Sequence, residues 1–75
     1  MLKIKDNVDL KELEKFGFYK VKDYISKKYH AYLKGSLRID FYNRYLVKND
    51  ANFCGYDLDT TYDLIQAGIV EKVSD

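Results

Sequence analysis

The fold is decided by the stretch Tyr29-His-Ala-Tyr-Leu-Lys-Gly-Ser-Leu-Arg-Ile-Asp-Phe41, in which apolar and polar residues alternate on both sides of Gly35. Alternation with a period of two indicates β-strands that present one apolar face. A three-residue loop Lys34-Gly35-Ser36 would place Leu33 opposite Leu37. Glycine suits the left-handed position in such a loop. The stretch therefore predicts a β-hairpin.

The same alternation continues on both sides of this hairpin. Loops at Ser26-Lys27-Lys28 and Asn43-Arg44 keep the apolar faces aligned, so we predict a four-stranded antiparallel meander over about residues 19–48. The face predicted to be covered carries Val21, Ile25, Tyr29, Ala31, Leu33, Leu37, Ile39, Phe41 and Leu46. The opposite face carries Lys20, Lys22, Tyr24, His30, Tyr32, Lys34, Arg38, Asp40, Tyr42, Tyr45 and Val47.

Two short helices are predicted outside the meander, at about residues 9–16 and 58–67. Their ends, Leu13-Glu-Lys-Phe-Gly17-Phe18 and Leu64-Ile-Gln-Ala-Gly68-Ile69, both read Leu-x-x-x-Gly-apolar. This pattern is typical of a Schellman stop, in which a left-handed glycine follows the helix. Asp9 is the predicted N-cap of the first helix, and Asp57 or Asp59 that of the second. The tail beyond Gly68 is predicted to be extended and could add a strand.

These elements predict a single α+β domain over residues 1–75, with both helices packed on one face of the sheet. With one cysteine, Cys54, no internal disulfide can form, and that residue is expected to act as a small apolar side chain. No signal-like segment and no apolar run of about 20 residues is present, so we expect a cytoplasmic protein with no membrane partner.

Charge is distributed unevenly although the whole chain carries only +1. Residues 20–48 contain eight lysines and arginines against two aspartates, and residues 49–75 contain one lysine against six carboxylates. The basic middle and the acidic end mark two possible electrostatic faces. Alternatively, the two regions lie close together in the fold and compensate each other.

The sequence offers little for catalysis. Asp57, Asp59 and Asp63 lack the register of a calcium-binding loop and are better explained by the start of a helix. His30 opposite Asp40 could orient a general base, but a cross-strand polar pair is the simpler interpretation. We therefore expect a protein that is not an enzyme, with no cofactor and no metal.

The basic, tyrosine-rich sheet face is the candidate binding surface. A protein partner would use its aromatic rings, and two copies could pair through it as a homodimer. Single-stranded nucleic acid would use the rings for stacking and the cations for phosphates. A solvated face without a ligand is the third alternative, and residues 57–75 are the next candidate surface. The candidate residues are Lys20, Lys22, Tyr24, Tyr32, Lys34, Arg38, Tyr42 and Tyr45.

Two stretches carry a resemblance: Ile4-Lys-Asp-Asn-Val-Asp-Leu-Lys-Glu-Leu-Glu-Lys-Phe-Gly-Phe18 and Tyr62-Asp-Leu-Ile-Gln-Ala-Gly-Ile-Val-Glu-Lys-Val73. Together they resemble small uncharacterised proteins of phages and prophages of AT-rich bacteria. The resemblance implies an origin in a mobile element, where small single-domain proteins often bind a host factor or a defence component. It implies no catalytic residues.

Overall fold

A computed structural model describes residues 1–48 and 55–73, and within the second helix it describes the side chains from Leu58 onward. Within these residues the fold is α+β, with a six-stranded antiparallel sheet and two helices. The strands are β1 (Leu2–Ile4), β2 (Tyr19–Lys22), β3 (Tyr29–Lys34), β4 (Leu37–Asp40), β5 (Tyr45–Lys48) and β6 (Val70–Lys72). The helices are a 3₁₀ helix (Leu10–Phe16) and α1 (Gly55–Gln66). Cys54 lies outside the described residues.

The meander β2-β3-β4-β5 is present as predicted, but the sheet has six strands rather than four. The two additional strands are β6, formed by the tail that the sequence predicts to be extended, and β1, which lies between β5 and β6 and pairs with both in antiparallel orientation. Ile4, at the end of β1, is fully buried. The strand order is therefore β2-β3-β4-β5-β1-β6, which leaves β2 and β6 at opposite edges.

The register of the β3–β4 hairpin differs from the predicted one by a single residue. Lys34 pairs with Leu37 and Tyr32 pairs with Ile39, so the loop contains only Gly35 and Ser36. Gly35 has φ +59° at the first loop position, where a type II′ turn takes glycine. A slip of one residue moves every side chain of a strand to the other face.

This slip corrects the predicted faces of β2 and β3. Tyr32 enters the core, while Ala31 and Leu33 turn to the face away from the helices, because they pair with Asp40 and Arg38. Val21 pairs with Ala31 and follows it to that face. The side chains of Leu37, Ile39, Phe41 and Leu46 remain on the core side, as predicted.

The β2–β3 connection is longer than predicted. It runs from Asp23 to Lys28, with the amide of Asp23 donating to the carbonyl of Lys28 over 2.8 Å. Ile25 and Tyr29, which were predicted on the covered face, are therefore exposed. Ile25 lies in the connection itself and not on a strand.

The first helix is a 3₁₀ helix, a form with three residues per turn. Leu10, Leu13 and Phe16 recur at intervals of three, so this form aligns all three side chains on one side. Leu13 is fully buried, and the other two pack against the core. Asp9 is the N-cap, and its side chain accepts from the amide of Lys11, as the sequence predicted.

Both glycine stops are present. The amide of Phe18 donates to the carbonyl of Leu13, and that of Ile69 to Leu64, which is the wide hydrogen bond of a Schellman motif. Gly17 has φ +91° and Gly68 has φ +74°. The second helix begins at Gly55, before the predicted start, so the backbone of Asp57 and Asp59 lies inside α1 rather than at its cap.

One core lies between the sheet and the helices. Its buried members are Ile4, Leu13, Phe18, Tyr32, Leu37, Ile39 and Leu64. No helix in the described part of the chain combines the length and the apolar character needed to cross a lipid bilayer.

Candidate functional site

The eight residues predicted as a binding face do not lie together on one face of the sheet. Tyr32 is in the core, where its hydroxyl donates to Glu14 over 3.1 Å. The ammonium of Lys34 donates to the carbonyl of Phe16 over 2.6 Å and so closes the end of the 3₁₀ helix. Neither side chain is available to a partner, because both hold the helix to the sheet.

Arg38 and Tyr45 lie on the sheet face away from the helices. Arg38 pairs across the strands with Leu33 and Val47, and its guanidinium lies 3.6 Å from Asp40. Tyr24 and Tyr42 project from loops at one end of the sheet, since the β2–β3 and β4–β5 connections lie on the same side. The predicted residues therefore do not form a single surface.

The predicted His30–Asp40 pair is not formed. Asp40 pairs across the strands with Ala31, and its carboxylate accepts from the amide of Tyr42 over 2.7 Å. Within the described residues, Nδ1 of His30 is buried without a hydrogen-bond partner. The same part of the chain has no group of three His, Cys, Asp or Glu side chains that could hold a metal ion.

One surface that remains is the end of the β2–β3 hairpin, which we call the hairpin surface and define as residues 20–29. Tyr24 is 95% exposed, Ile25 88% and Tyr29 51%. The ammonium groups of Lys20 and Lys22 lie 5.3 Å and 5.1 Å from the centroid of the Tyr29 ring. These are cation–π distances, so the ring holds two positive charges beside the exposed loop.

The loop of the hairpin surface is held by its own hydrogen bonds. The carboxylate of Asp23 accepts from the amide of Ile25 and from the hydroxyl of Ser26, both over 3.1 Å. These bonds, the one to the Ile25 amide first, lower the pKa of Asp23. Lys27 takes a left-handed φ of +57° and donates its amide to the carbonyl of Asp23. The tip that presents Tyr24 is therefore formed before any ligand arrives.

Lysines give the hairpin surface its charge. Lys20, Lys22, Lys27 and Lys28 stand against the single carboxylate of Asp23, for a net charge of +3. Among the described residues, none of the four ammonium groups forms an ion pair. Their charge is available to an external anion.

A second surface lies on α1. Leu58, Tyr62 and Ile65 are 59%, 61% and 48% exposed. Their spacing of four and three residues places them on one side of an α-helix. Thr60 and Leu64 are buried on the opposite side, against the core. We call the three exposed side chains the helix stripe.

The helix stripe was not singled out from the sequence. Apolar residues occur on two sides of α1, so the sequence pattern does not show which side packs on the sheet. The Schellman stop indicates which side of α1 faces the core, because Leu64 lies one turn before Gly68 and close to Ile69. Once Leu64 is assigned to the core, helical geometry places Leu58 and Tyr62 outside.

Neither the sequence nor the fold has a match that assigns a function. No family model, no curated protein and no solved structure matches the chain.

Proposed function

We propose that this protein is a small non-catalytic interaction module that binds a protein partner through the helix stripe. The exposure of Leu58, Tyr62 and Ile65 on the side of α1 opposite the core carries the proposal. Three large apolar side chains on one helical face, at positions i, i+4 and i+7, are the anchors of helix-in-groove recognition. They span about 10 Å along the helix axis.

Charge defines the partner further. Asp59 and Asp63 are exposed beside the stripe, and α1 contains no lysine or arginine. We infer a partner with an apolar groove bordered by basic side chains, because such a border complements the carboxylates and speeds association. Self-association by the stripe is the less favoured case, since two acidic helices would repel each other.

The resemblance of the two chain ends supports the same class of function. If the chain belongs to a phage or prophage, its partner is a host factor or a defence component, and binding alone is sufficient for activity. A domain of this size has a core of about 3–5 kcal/mol at most, which favours surface recognition over a deep pocket.

The test is affinity capture from a lysate of the source cells with three forms of the protein. These are the wild type, the stripe variant Leu58→Ala/Tyr62→Ala/Ile65→Ala, and the control variant Tyr24→Ala/Ile25→Ala on the hairpin surface. Both variants remove exposed apolar side chains, so both should keep the thermal stability of the wild type.

We expect the wild type and the control variant to recover the same specific protein and the stripe variant to lose it. Recovery of that protein by the stripe variant would place the site elsewhere. A wild type that recovers no protein and sediments as a monomer at high concentration would overturn the proposal.

A further inference from the structure

We propose that the hairpin surface binds single-stranded nucleic acid, independently of the helix stripe. Two kinds of group favour this ligand: cations that neutralise phosphates, and exposed aromatic rings on which bases stack. The hairpin surface supplies both within one segment, residues 20–29. It differs from the face expected from the sequence, because Tyr32 lies in the core and Lys34 binds the carbonyl of Phe16, whereas Tyr29 and the loop lysines take part.

The cations come from both sides of the hairpin. Lys20 and Lys22 lie near the Tyr29 ring, and Lys27 and Lys28 directly precede Tyr29 on the returning side, where the amide of Asp23 donates to the carbonyl of Lys28 over 2.8 Å. Four separate ammonium groups can each contact a different phosphate. Because lysine is a flexible point charge, such contacts give affinity without reading the base sequence.

Tyr24 is the stacking residue. Its ring is 95% exposed at the tip of the loop, and the ring of Tyr29 is already in contact with two ammonium groups. A base can therefore stack on Tyr24 while its flanking phosphates reach the lysines. The Asp23 hydrogen bonds hold the loop in place, which reduces the entropy lost on binding.

Single strands are favoured over a duplex because stacking needs an exposed base face, and the bases of a duplex present only their edges. Single strands are also favoured over an acidic peptide, which supplies the charge but no planar partner for Tyr24. The test below includes a duplex and an acidic peptide as competing ligands.

The test is a fluorescence anisotropy titration with a labelled, mixed-sequence DNA oligonucleotide of about 12 nucleotides, a length within the usual site sizes. Titration at several salt concentrations gives the slope of log K against log salt. With a slope of about −0.7 for each phosphate neutralised on a single strand, four lysines predict a slope of about −2.8.

Variants separate the two contributions. Lys20→Gln/Lys22→Gln should reduce the magnitude of the slope by about 1.4, since two phosphate contacts are lost. Tyr24→Ala should weaken binding about tenfold with an unchanged slope, because stacking releases no counterions. The matched control Lys11→Gln/Lys72→Gln removes two exposed lysines outside the hairpin surface and should leave both quantities unchanged.

Four outcomes would overturn the inference. The first two are no binding of the oligonucleotide at low salt, and a loss of affinity in the control variant equal to that in the lysine variant. The other two are tighter binding to a duplex of the same sequence, and displacement of the oligonucleotide by polyglutamate at the same concentration of negative charge. The stripe variant of α1 should bind the oligonucleotide like the wild type. If the hairpin surface binds no nucleic acid, the affinity-capture test of the helix stripe is unaffected, so the two proposals are tested separately.

Discussion

The hydroxyl of Tyr32 donates a hydrogen bond of 3.1 Å to the carboxylate of Glu14 and ties β3 to the 3₁₀ helix. The ring is 1% exposed and lies 5.3 Å from the ring of Phe41. Burial raises the pKa of Tyr32 to about 12, and the Glu14 carboxylate acts in the same direction. The folded state therefore holds this phenol in its neutral form.

A pH dependence follows from that pKa. The phenol of Tyr32 releases its proton near pH 10 in the unfolded chain, but only at about pH 12 in the folded chain. The contribution of the neutral phenol to the free energy of unfolding is therefore fully present below pH 10 and is lost as the pH rises towards 12. Tyr32→Phe keeps the ring in the core and removes the ionisation.

We expect the free energy of unfolding of the wild type to fall more steeply above pH 10 than that of Tyr32→Phe. Urea unfolding at pH 8, 10 and 11 measures the difference, and lysine titration is common to both proteins. Parallel curves for the two proteins would contradict the placement of Tyr32. Spectrophotometric titration of the phenols should show one group fewer with a high pKa in the variant.

The sequence predicted the meander and both helix stops, since these depend on local rules. A helix stop of this kind needs a left-handed glycine followed by an apolar residue, and Gly17 and Gly68 both meet this local requirement. The strand β1 was missed because Leu2-Lys3-Ile4 is too short for a periodic signal. Only its position between β5 and β6 makes it a strand.

The faces of β2 and β3 could not be predicted for a different reason. Both a two-residue and a three-residue loop accept glycine at position 35, and the two loops place opposite sides of β3 on the core. The deciding interactions are long-range, between Tyr32 and Glu14 and between Lys34 and Phe16. Of the lysines on the hairpin surface, Lys20 and Lys22 are predicted site residues, whereas Lys27 and Lys28 are predicted only as members of a loop.

The two helix-stop glycines should differ in their tolerance of a side chain. An added Cβ at Gly68 meets no atom within 4 Å, so Gly68→Ala should cost only the left-handed conformation, about 1 kcal/mol. At Gly17 the Cβ would lie 3.1 Å from Cε and 3.2 Å from Nζ of Lys34. Gly17→Ala should therefore cost more, because Lys34 must move from Phe16.

Urea unfolding of both alanine variants measures this difference, with Gly68→Asn as the control. Asparagine tolerates the left-handed region better than alanine does, so it should recover part of the loss. Equal effects of alanine at both glycines would show that the Lys34–Phe16 contact contributes nothing.

Arg44 should combine a stabilising contact with backbone strain. Its Nη1 donates to the carbonyls of Lys5 and Val8, each over 2.7 Å, while its own φ is +63°. Arg44→Ala loses the contacts and keeps the strain, at a cost of about 2–3 kcal/mol. Arg44→Gly also loses the contacts but adopts this φ freely, so it should be about 1 kcal/mol more stable than the alanine variant. Chemical denaturation of the two variants side by side gives the comparison, and an alanine variant as stable as the glycine variant would rule out strain at this position.

Ile39 and Val21 test the strand faces directly. The sequence pattern placed both on the covered face, whereas the structure places Ile39 in the core and Val21 on the other side of the sheet. Ile39→Ala should cost about 2–5 kcal/mol and the graded variant Ile39→Val about 0.5–1.5 kcal/mol. Val21→Ala removes a half-buried side chain outside the core and should cost less than about 1 kcal/mol.

The graded variant keeps the comparison possible if Ile39→Ala is too unstable to fold. If Val21→Ala is destabilised more than Ile39→Val, the register predicted from the sequence is correct for β2 and β3, and the loop between β3 and β4 has three residues.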